Sequence, residues 1–193
     1  MKVLCLYTNP CALPLFEWIQ QQGNTTELKC DKIEPEWCEA EQFDLTVSYT
    51  YRYVLSRSVL AALHGNVVNL HNSYLPWNRG ADPNIWSILE GTPRGVTLHY
   101  MDEHLDKGAI IAQKFVLLRE NDTLRSSYDA LDMAAQELFK EAFFYYSFWP
   151  SMKKRAEGNG TYHSLSDAEM VKSHINSYDV TLEQFRKTVE GHP

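Results

Sequence analysis

The chain has 193 residues, a formal net charge of −7 at neutral pH, and ordinary fractions of hydrophobic (44%) and charged (22%) residues. This length suits one domain with a substantial core, and the acidic balance argues against a general nucleic-acid surface, which needs a basic stripe. The longest aromatic run, residues 143–149, falls far short of the ~20 residues of a membrane span, and the first strand-like residues do not form a signal peptide.

Strand and helix patterns alternate along residues 3–100. The sequence predicts strands over residues 3–7, 26–29, 43–49 and 65–68, and helices over residues 12–22 and 57–63, the second one capped by Ser56. Residues 31–42 are acidic and irregular in pattern, and we expect them at the surface. This alternation predicts an α/β fold, with a mostly parallel central sheet and helices on both faces.

The second half of the chain begins with a predicted helix over residues 84–90 and two strands over residues 94–101 and 109–117, joined by the acidic loop 102–108. Thr123 begins the longest predicted helix, whose apolar stripe indicates a core position and which Pro150 ends. A last helix over residues 182–189 follows a capping box formed by Thr181 and Gln184.

The four cysteines, at positions 5, 11, 30 and 38, include no Cys-x-x-Cys pair. We therefore expect a cytoplasmic protein with reduced thiols in or near its core, while a disulfide between Cys30 and Cys38 stays open. No group of histidines and cysteines has the spacing of metal ligands, so the sequence predicts no metal site.

Two polar residues, Asn69 and His71, stand at the end of the strand that begins near residue 65. In an extended chain, residues two apart point to the same face, and ligands of open α/β sheets bind at the carboxyl ends of the strands. An amide N–H can stabilise a developing oxyanion, and an imidazole can move a proton near neutral pH. The alternative is a polar strand edge that simply satisfies buried backbone groups.

Two separate stretches with the same order and spacing resemble the folate-dependent formyltransferase family. Its pattern is Asn-x-His-x-Ser-x-Leu-Pro, then Val-Thr-x-His, then Leu-Asp-x-Gly-x-Ile-Ile. The chain carries these elements as Asn69, His71, Ser73, Leu75, Pro76, residues 96–99 and residues 105–111. The resemblance covers residues 45–150 well and implies a Rossmann-like formyltransferase domain, with a catalytic core over residues 1–150 and a C-terminal extension, residues 151–193, packed on it.

The resemblance implies acyl transfer from 10-formyltetrahydrofolate, with Asn69, His71 and Asp106 as the catalytic residues. Asn69 and His71 would stabilise the oxyanion, His71 would move the amine proton, and Asp106 would hold the imidazole or an ordered water. Taken alone, Asp106 also fits a hairpin turn with Gly108. His99 lies on a strand, and we expect it to serve packing.

The resemblance also implies two sets of binding residues. The pterin ring of the folate would contact Arg52, Tyr53, Val54 and Leu55. The acidic loop would also contact the folate, through Asp102, Glu103, His104 and Leu105. The acceptor would contact Ser73, Pro76, Trp77, Asn78, Arg79, Gly80 and Asp82. Arg79 could pair with a diphosphate or, as a structural ion pair, with Asp82.

The leading acceptor is the amine of a nucleotide-linked amino sugar. A Gly-Ser-rich phosphate loop is missing after the first strand, no β-barrel typical of a tRNA enzyme follows residue 193, and residues 160–163 resemble a segment of sugar-acting relatives. The alternatives are a formylation module for carrier-bound aminoacyl groups or aminoacyl-tRNA, and an inactive folate-binding scaffold. We expect the binding partner to be a small molecule, the amino-sugar nucleotide, and we expect no binding to nucleic acid or to a membrane. The sequence leaves open whether the protein forms a homodimer.

Overall fold

A six-stranded sheet forms the centre of the protein, in a computed structural model that describes residues 1–119 and 121–191. Its strands, in spatial order, are β2 (Thr25–Lys29), β1 (Lys2–Leu6), β3 (Leu45–Tyr49), β4 (Val67–His71), β6 (Gly95–Tyr100) and β7 (Ile110–Phe115). The first four strands are parallel, and the last two join them in antiparallel register. The predicted mostly parallel sheet is therefore confirmed.

Helices cover both faces of this sheet, also as predicted. The helices are α1 (Leu13–Gln21), α2 (Pro35–Glu41), α3 (Arg57–Ala62), α4 (Pro83–Leu89), α5 (Leu124–Phe143), α6 (Trp149–Met152), α7 (Leu165–Lys172) and α8 (Leu182–Glu190). Side chains of α1 and α5 pack in one core with β1, β3, β4 and β6, while α2 and α3 pack in a second core on the other face. A strand enclosed on both sides carries a continuous apolar run, as β1 does over residues 3–6, whereas the equally buried β3 alternates apolar residues with Thr46 and Ser48.

Two predictions about helices were wrong, and one helix was not predicted. The segment 31–42 contains α2, which begins with Pro35 in its first turn and buries Cys38 against the second core. The longest helix ends at Phe143, well before Pro150, which instead lies in the first turn of α6, where its missing N–H costs nothing. Helix α7 was not predicted: Ala168 and Val171 are its buried residues, while its other large apolar side chains, Leu165 and Met170, are exposed and break the apolar stripe.

The last forty residues pack on the rest of the chain through a third apolar cluster. Leu182 and Phe185 of α8 contact a core made of Ile85, Ile88 and Leu124. The predicted capping box of α8 is confirmed: Thr181 Oγ1 accepts from the Gln184 N–H at 3.2 Å, and Gln184 Oε1 accepts from the Thr181 N–H at 2.9 Å. A two-stranded parallel pair, β5 (Arg79–Gly80) and β8 (Tyr162–His163), adds a second connection.

All four cysteines are free; Cys5 and Cys38 are buried, Cys11 is half-buried and Cys30 is exposed. The pairing of Cys30 with Cys38 that the sequence left open is therefore not formed. Within residues 1–119 and 121–191, no helix is long and apolar enough to cross a lipid bilayer.

Replacing Phe185 by alanine should lower the free energy of unfolding by about 3–5 kcal/mol, because the side chain is 2% exposed and its loss leaves a cavity under α8. Phe185→Leu keeps most of the apolar volume and should cost less. The matched control is Phe148→Ala, whose ring is 61% exposed and whose loss should change stability by less than about 0.5 kcal/mol. Urea denaturation measures all three, and equal midpoints for the two alanine variants would contradict the packing.

Candidate active site

Asn69 and His71 point from the end of β4 toward the same face of the sheet. The antiparallel pairing of β4 with β6 places His99 directly opposite Asn69. On its other side, β6 pairs with β7, and the register of that pairing is irregular between Leu98 and His99. Such irregularities re-aim side chains and are common beside active sites. The Asn69 amide nitrogen Nδ2 lies 3.3 Å from His99 Nε2, so two residues thirty positions apart form one polar unit.

The proton positions in this unit follow from the chemistry of its partners. His99 Nδ1 lies 2.8 Å from the carbonyl oxygen of Tyr100, which can only accept, so Nδ1 carries the proton. Nε2 of the neutral ring is then the acceptor for the Asn69 amide. An amide nitrogen has two N–H groups, so Asn69 keeps a second donor after this contact.

Asp106 comes from the loop after β6 and reaches back to both histidines. Its Oδ2 atom lies 3.8 Å from His71 Nε2, and its Oδ1 atom lies 3.7 Å from His99 Nε2. The Gly80 N–H donates to Oδ2 at 2.9 Å, and the side chain of Asp106 is 8% exposed. The structure thus brings the three residues that the sequence singled out, Asn69, His71 and Asp106, to one point.

His71 has a further partner in the loop that follows β4. Its Nε2 atom lies 3.1 Å from the carbonyl oxygen of Asn78, and because a carbonyl only accepts, Nε2 is the donor. Nδ1 is therefore the nitrogen of the neutral ring that can take a proton. This contact orients the imidazole and selects its tautomer at the same time.

His99 was expected to serve packing, and the structure corrects this. The ring is buried, but its edge contacts Asn69 and Asp106 rather than apolar side chains alone. Burial lowers the pKa of His99 below its ordinary value, against a smaller opposing effect of the Asp106 carboxylate. This role of His99 depends on the register between β4 and β6, and the sequence around His99 does not determine that register.

The cluster opens into a cleft of about 180 Å³. Its lining comprises residues 49–51, residues 69–72, Gly80 and Pro83. A second cleft of about 260 Å³ adjoins it at Tyr51 and is lined by residues 32–36 and by Tyr53, Val54 and Leu55, together with the first turn of α3. Three of the four residues expected around the pterin ring thus line a cleft, while Arg52 donates to Tyr53 Oη at 3.1 Å.

The two segments that were expected to contact folate lie close together. Arg57, in the first turn of α3, has its Nε atom 3.8 Å from Glu103 Oε2, so the loop 102–105 approaches the segment 52–55. Val54 and Leu105 are 76% and 45% exposed. Exposed apolar side chains beside a cleft are typical of a ligand-binding surface.

Two residues expected to contact the acceptor are buried instead. Asn78 is fully buried: its Nδ2 donates to Thr92 Oγ1 at 2.7 Å and its Oδ1 accepts from Thr161 Oγ1 at 2.8 Å. Ser73 is 2% exposed. Asn78 thus links its loop to Thr92 and Thr161, whereas the hydroxyl of Ser73 has no hydrogen-bond partner in the described structure.

The other acceptor residues are half-buried. The ion pair between Arg79 and Asp82, one of the two alternatives for Arg79, does not form. Arg79 donates to the carbonyl oxygens of Thr161 and Asn159, at 3.3 and 3.2 Å. Asp82 accepts from Lys172 Nζ at 2.9 Å and from Tyr128 Oη at 3.0 Å. Pro76, Trp77 and Gly80 are each partly accessible.

A polar group at the wall of the first cleft was not predicted. Tyr49 Oη and Asn72 Nδ2 both donate to Asp132 Oδ1 of α5, at 2.6 and 2.9 Å. Burial, reinforced by the Asp132 charge, raises the pKa of Tyr49, which therefore stays a donor. The same contact turns Asn72 so that its Oδ1 atom is a buried acceptor without a protein partner in the described structure. Nothing in the local sequence links these residues, which come from three distant segments.

Backbone strain is concentrated around the cleft. Thr50, Asn78, Asp82 and Asp106 all have positive φ angles, between 50° and 61°. Asn and Asp tolerate this left-handed region, whereas a β-branched residue such as Thr50 adopts it rarely. In the described ranges 1–119 and 121–191, no group of three or more His, Cys, Asp or Glu side chains is arranged to hold a metal ion.

Residues 14–143 match the family model described as formyl transferase. The dTDP-4-amino-4,6-dideoxyglucose formyltransferases of Mycobacterium bovis and Mycobacterium tuberculosis are each 35% identical to the chain over 116 residues, which is 60% of this chain and 48% of theirs. The chain therefore spans about half the length of these curated relatives.

Solved structures extend the similarity to nearly the whole chain. The formyltransferase PseJ of Anoxybacillus kamchatkensis, in complex with UDP-4,6-dideoxy-4-formamido-L-AltNAc and tetrahydrofolate, is 33% identical, with a TM-score of 0.84 over 97% of this chain and 100% of that one. A 4-N formyltransferase from Francisella tularensis shares the fold at 19% identity, with a TM-score of 0.77 over 97% of this chain and 85% of that one.

Stability should fall as the pH drops below about 6.5, the ordinary pKa of histidine, because the buried His99 resists protonation in the folded state more than in the unfolded state. Below this pH the unfolded chain binds more protons than the folded chain. The stability that the neutral His99 contributes is therefore fully present above about pH 6.5, and it is lost as the pH falls toward the lower pKa of His99 in the folded state. His99→Gln should reduce the slope, whereas His104→Gln, on a side chain that is 61% exposed, is the control. Urea unfolding from pH 5 to pH 8 measures the slope, and identical profiles for both variants would contradict the assignment.

Proposed function

Because this chain belongs to the formyl transferase family, we propose that it moves a formyl group from 10-formyltetrahydrofolate to the amine of a nucleotide-linked amino sugar. The observation that carries the proposal is the cluster of Asn69, His71 and Asp106 at the mouth of a cleft. The similarity to PseJ, whose complex holds a formylated UDP-sugar and tetrahydrofolate, supports the choice of both substrates. We further propose a cytoplasmic enzyme, since its cysteines are free.

In this proposal Asn69 stabilises negative charge. When an amine attacks a formyl carbon, the carbonyl oxygen becomes an oxyanion and the folate nitrogen later leaves. One Asn69 N–H is held by His99, and the second can donate to this oxygen. His99 thus keeps the amide in place, which saves the cost of orienting it during the reaction.

His71 moves the proton that the attacking amine must lose. Its Nε2 atom is held by the Asn78 carbonyl, so Nδ1 is the base. As the ring gains a positive charge, the Asp106 carboxylate at 3.8 Å stabilises it in a site where both side chains are largely shielded from water. The same protonated ring can then return a proton to the leaving nitrogen.

Tyr53, Val54 and Leu55 line the larger cleft, and Gly80 lines the smaller one beside Asn69 and His71. We propose that the folate lies along residues 52–55 and 102–105, and that the acceptor lies along Pro76, Trp77, Arg79, Gly80 and Asp82. Trp77 could stack on a sugar or base, and the guanidinium edge of Arg79 could bind a diphosphate. We also propose that residues 1–150 form the catalytic core and that residues 151–193 form an extension of it.

Substituting any one of the three clustered residues should lower the rate of formyl transfer while folate binding persists. Loss of one oxyanion donor in Asn69→Ala typically costs ~10²–10³ in rate, and combining it with His71→Ala and Asp106→Asn should cost less than the product of the single effects. Single-turnover transfer and folate fluorescence measure the two properties. The control is Asp129→Asn, on the exposed face of α5. Near-normal turnover by His71→Ala would rule out the mechanism.

The acceptor class is tested by a panel of amines. We expect transfer to UDP- or dTDP-linked 4-amino-4,6-dideoxy sugars and not to aminoacyl-tRNA or an aminoacylated carrier protein. Product mass and release of tetrahydrofolate report each reaction. Transfer only to the carrier-bound or tRNA-bound aminoacyl group would replace the sugar acceptor with that group, and folate binding without any transfer would indicate an inactive scaffold.

A further inference from the structure

The C-terminal segment 159–163 runs along the loop that carries the candidate acceptor residues. The backbones of β5 and β8 pair in parallel, with the Arg79 N–H donating to the Thr161 carbonyl at 3.1 Å and the Ala81 N–H donating to the His163 carbonyl at 3.0 Å. A side chain at Gly160, whose φ angle is 58°, would collide with the Pro76 carbonyl. The two segments are therefore in close backbone contact over their whole shared length.

Thr161 makes the most specific contacts in this pairing. Its hydroxyl accepts from the Asn78 N–H at 2.9 Å and donates to Asn78 Oδ1 at 2.8 Å. Because Asn78 is fully buried and its φ angle is 55°, these bonds satisfy polar groups that water does not reach and hold an uncommon backbone conformation. A hydroxyl is both donor and acceptor, and this position uses both properties.

His163 anchors the far end of the same segment. Its ring stacks on Trp86 of α4, with centroids 3.9 Å apart and planes 7° from parallel, and its Nε2 atom lies 3.1 Å from Glu90 Oε1. The segment is thus attached to α4 at one end and to Asn78 at the other. This attachment limits how far the loop between them can shift.

The loop held in this way makes one contact with each of two candidate catalytic side chains. The Asn78 carbonyl accepts from His71 Nε2 at 3.1 Å, and the Gly80 N–H donates to Asp106 Oδ2 at 2.9 Å. The residue between these two contacts is Arg79, whose backbone and guanidinium are both bonded to the carbonyl of Thr161.

We propose that Thr161 is a positioning residue: through Asn78 it fixes the carbonyl that orients His71 and selects the ring tautomer with Nε2 protonated. The proposal rests on the formyl transfer proposed above, in which Nδ1 of His71 is the base. Thr161 does not touch the reacting atoms, and its effect passes through Asn78. The C-terminal extension thereby takes part in building the site.

The test compares three substitutions at one position. Thr161→Val keeps the shape but removes the hydroxyl, Thr161→Ser keeps the hydroxyl, and Thr161→Ala removes the hydroxyl with less crowding. Tyr162→Phe is the matched control, since Tyr162 is the next residue of segment 159–163 and its side chain is 55% exposed. All variants are the full chain, and urea unfolding confirms that each is folded before use.

We expect Thr161→Val to lower kcat by about 10–10²-fold, the range expected for a displaced catalytic group, with KM for folate nearly unchanged. Thr161→Ser should restore most of the rate, and Tyr162→Phe should match the wild type. A Thr161→Val variant that turns over like the wild type would overturn the proposal. If Thr161→Val does not fold, Thr161→Ala decides in its place by the same criteria.

A second measurement is independent of activity. Proton–nitrogen NMR correlation spectra of isotope-labelled histidine distinguish the two ring tautomers, and the His71 signals are identified among the seven histidines by their loss in His71→Gln. We expect a neutral His71 ring protonated at Nε2 in the wild type and in Thr161→Ser, and a mixed population in Thr161→Val. An unchanged tautomer in Thr161→Val would overturn the positioning role even if no acceptor in the panel were formylated.

Discussion

A carboxylate at 8% exposure is the constraint that shapes the site. Removing Asp106 from water costs free energy that only close partners can offset. The closest of these partners is the Gly80 N–H, at 2.9 Å from Oδ2. His71 Nε2, which carries a proton, lies 3.8 Å from the same oxygen, whereas His99 Nε2, at 3.7 Å from Oδ1, is the unprotonated nitrogen of its ring. The loop after β6, the loop after β4 and the carboxyl end of β4 therefore meet at this carboxylate. Asp106 itself has a positive φ angle of 52°, an uncommon backbone conformation that the surrounding contacts hold in place.

The change from parallel to antiparallel pairing places the cluster where it is. β4 is the last parallel strand of the sheet, and β6 runs beside it in the opposite direction. The antiparallel pairing places His99 opposite Asn69. The Asn69 amide, which could otherwise rotate at the end of its strand, is therefore held by the neutral imidazole of His99. On the other side of the cleft, Tyr49 and Asn72 are held by Asp132 of α5. Each polar group that faces the cleft is thus oriented by a residue behind it.

Much of the fold could be predicted because its signals are local. Apolar runs, Ser56 as a cap and the capping box at Thr181 each act within a few residues, and the spacing of Asn69 and His71 determined their shared face. The role of His99, the group around Asp132 and the burial of Asn78 depend on which distant segments meet. Strand register and loop packing decide those contacts, and no short stretch of sequence contains them. Helix α2 was missed for a related reason: one buried cysteine and a leading proline give only a weak helical pattern.

The state of the thiols has a practical consequence for studying the molecule in solution. Burial raises the pKa of both Cys5 and Cys11 to about 12, and it also raises the pKa of Cys38. Alkylating reagents attack the thiolate, so these three positions should react slowly, whereas Cys30 is exposed at the end of β2. Strand β2 is the edge of the sheet, with two strands between it and β4. A maleimide dye could thus mark a single natural position two residues before Lys32, which lines the larger cleft. Its fluorescence could follow ligand binding there without any added cysteine.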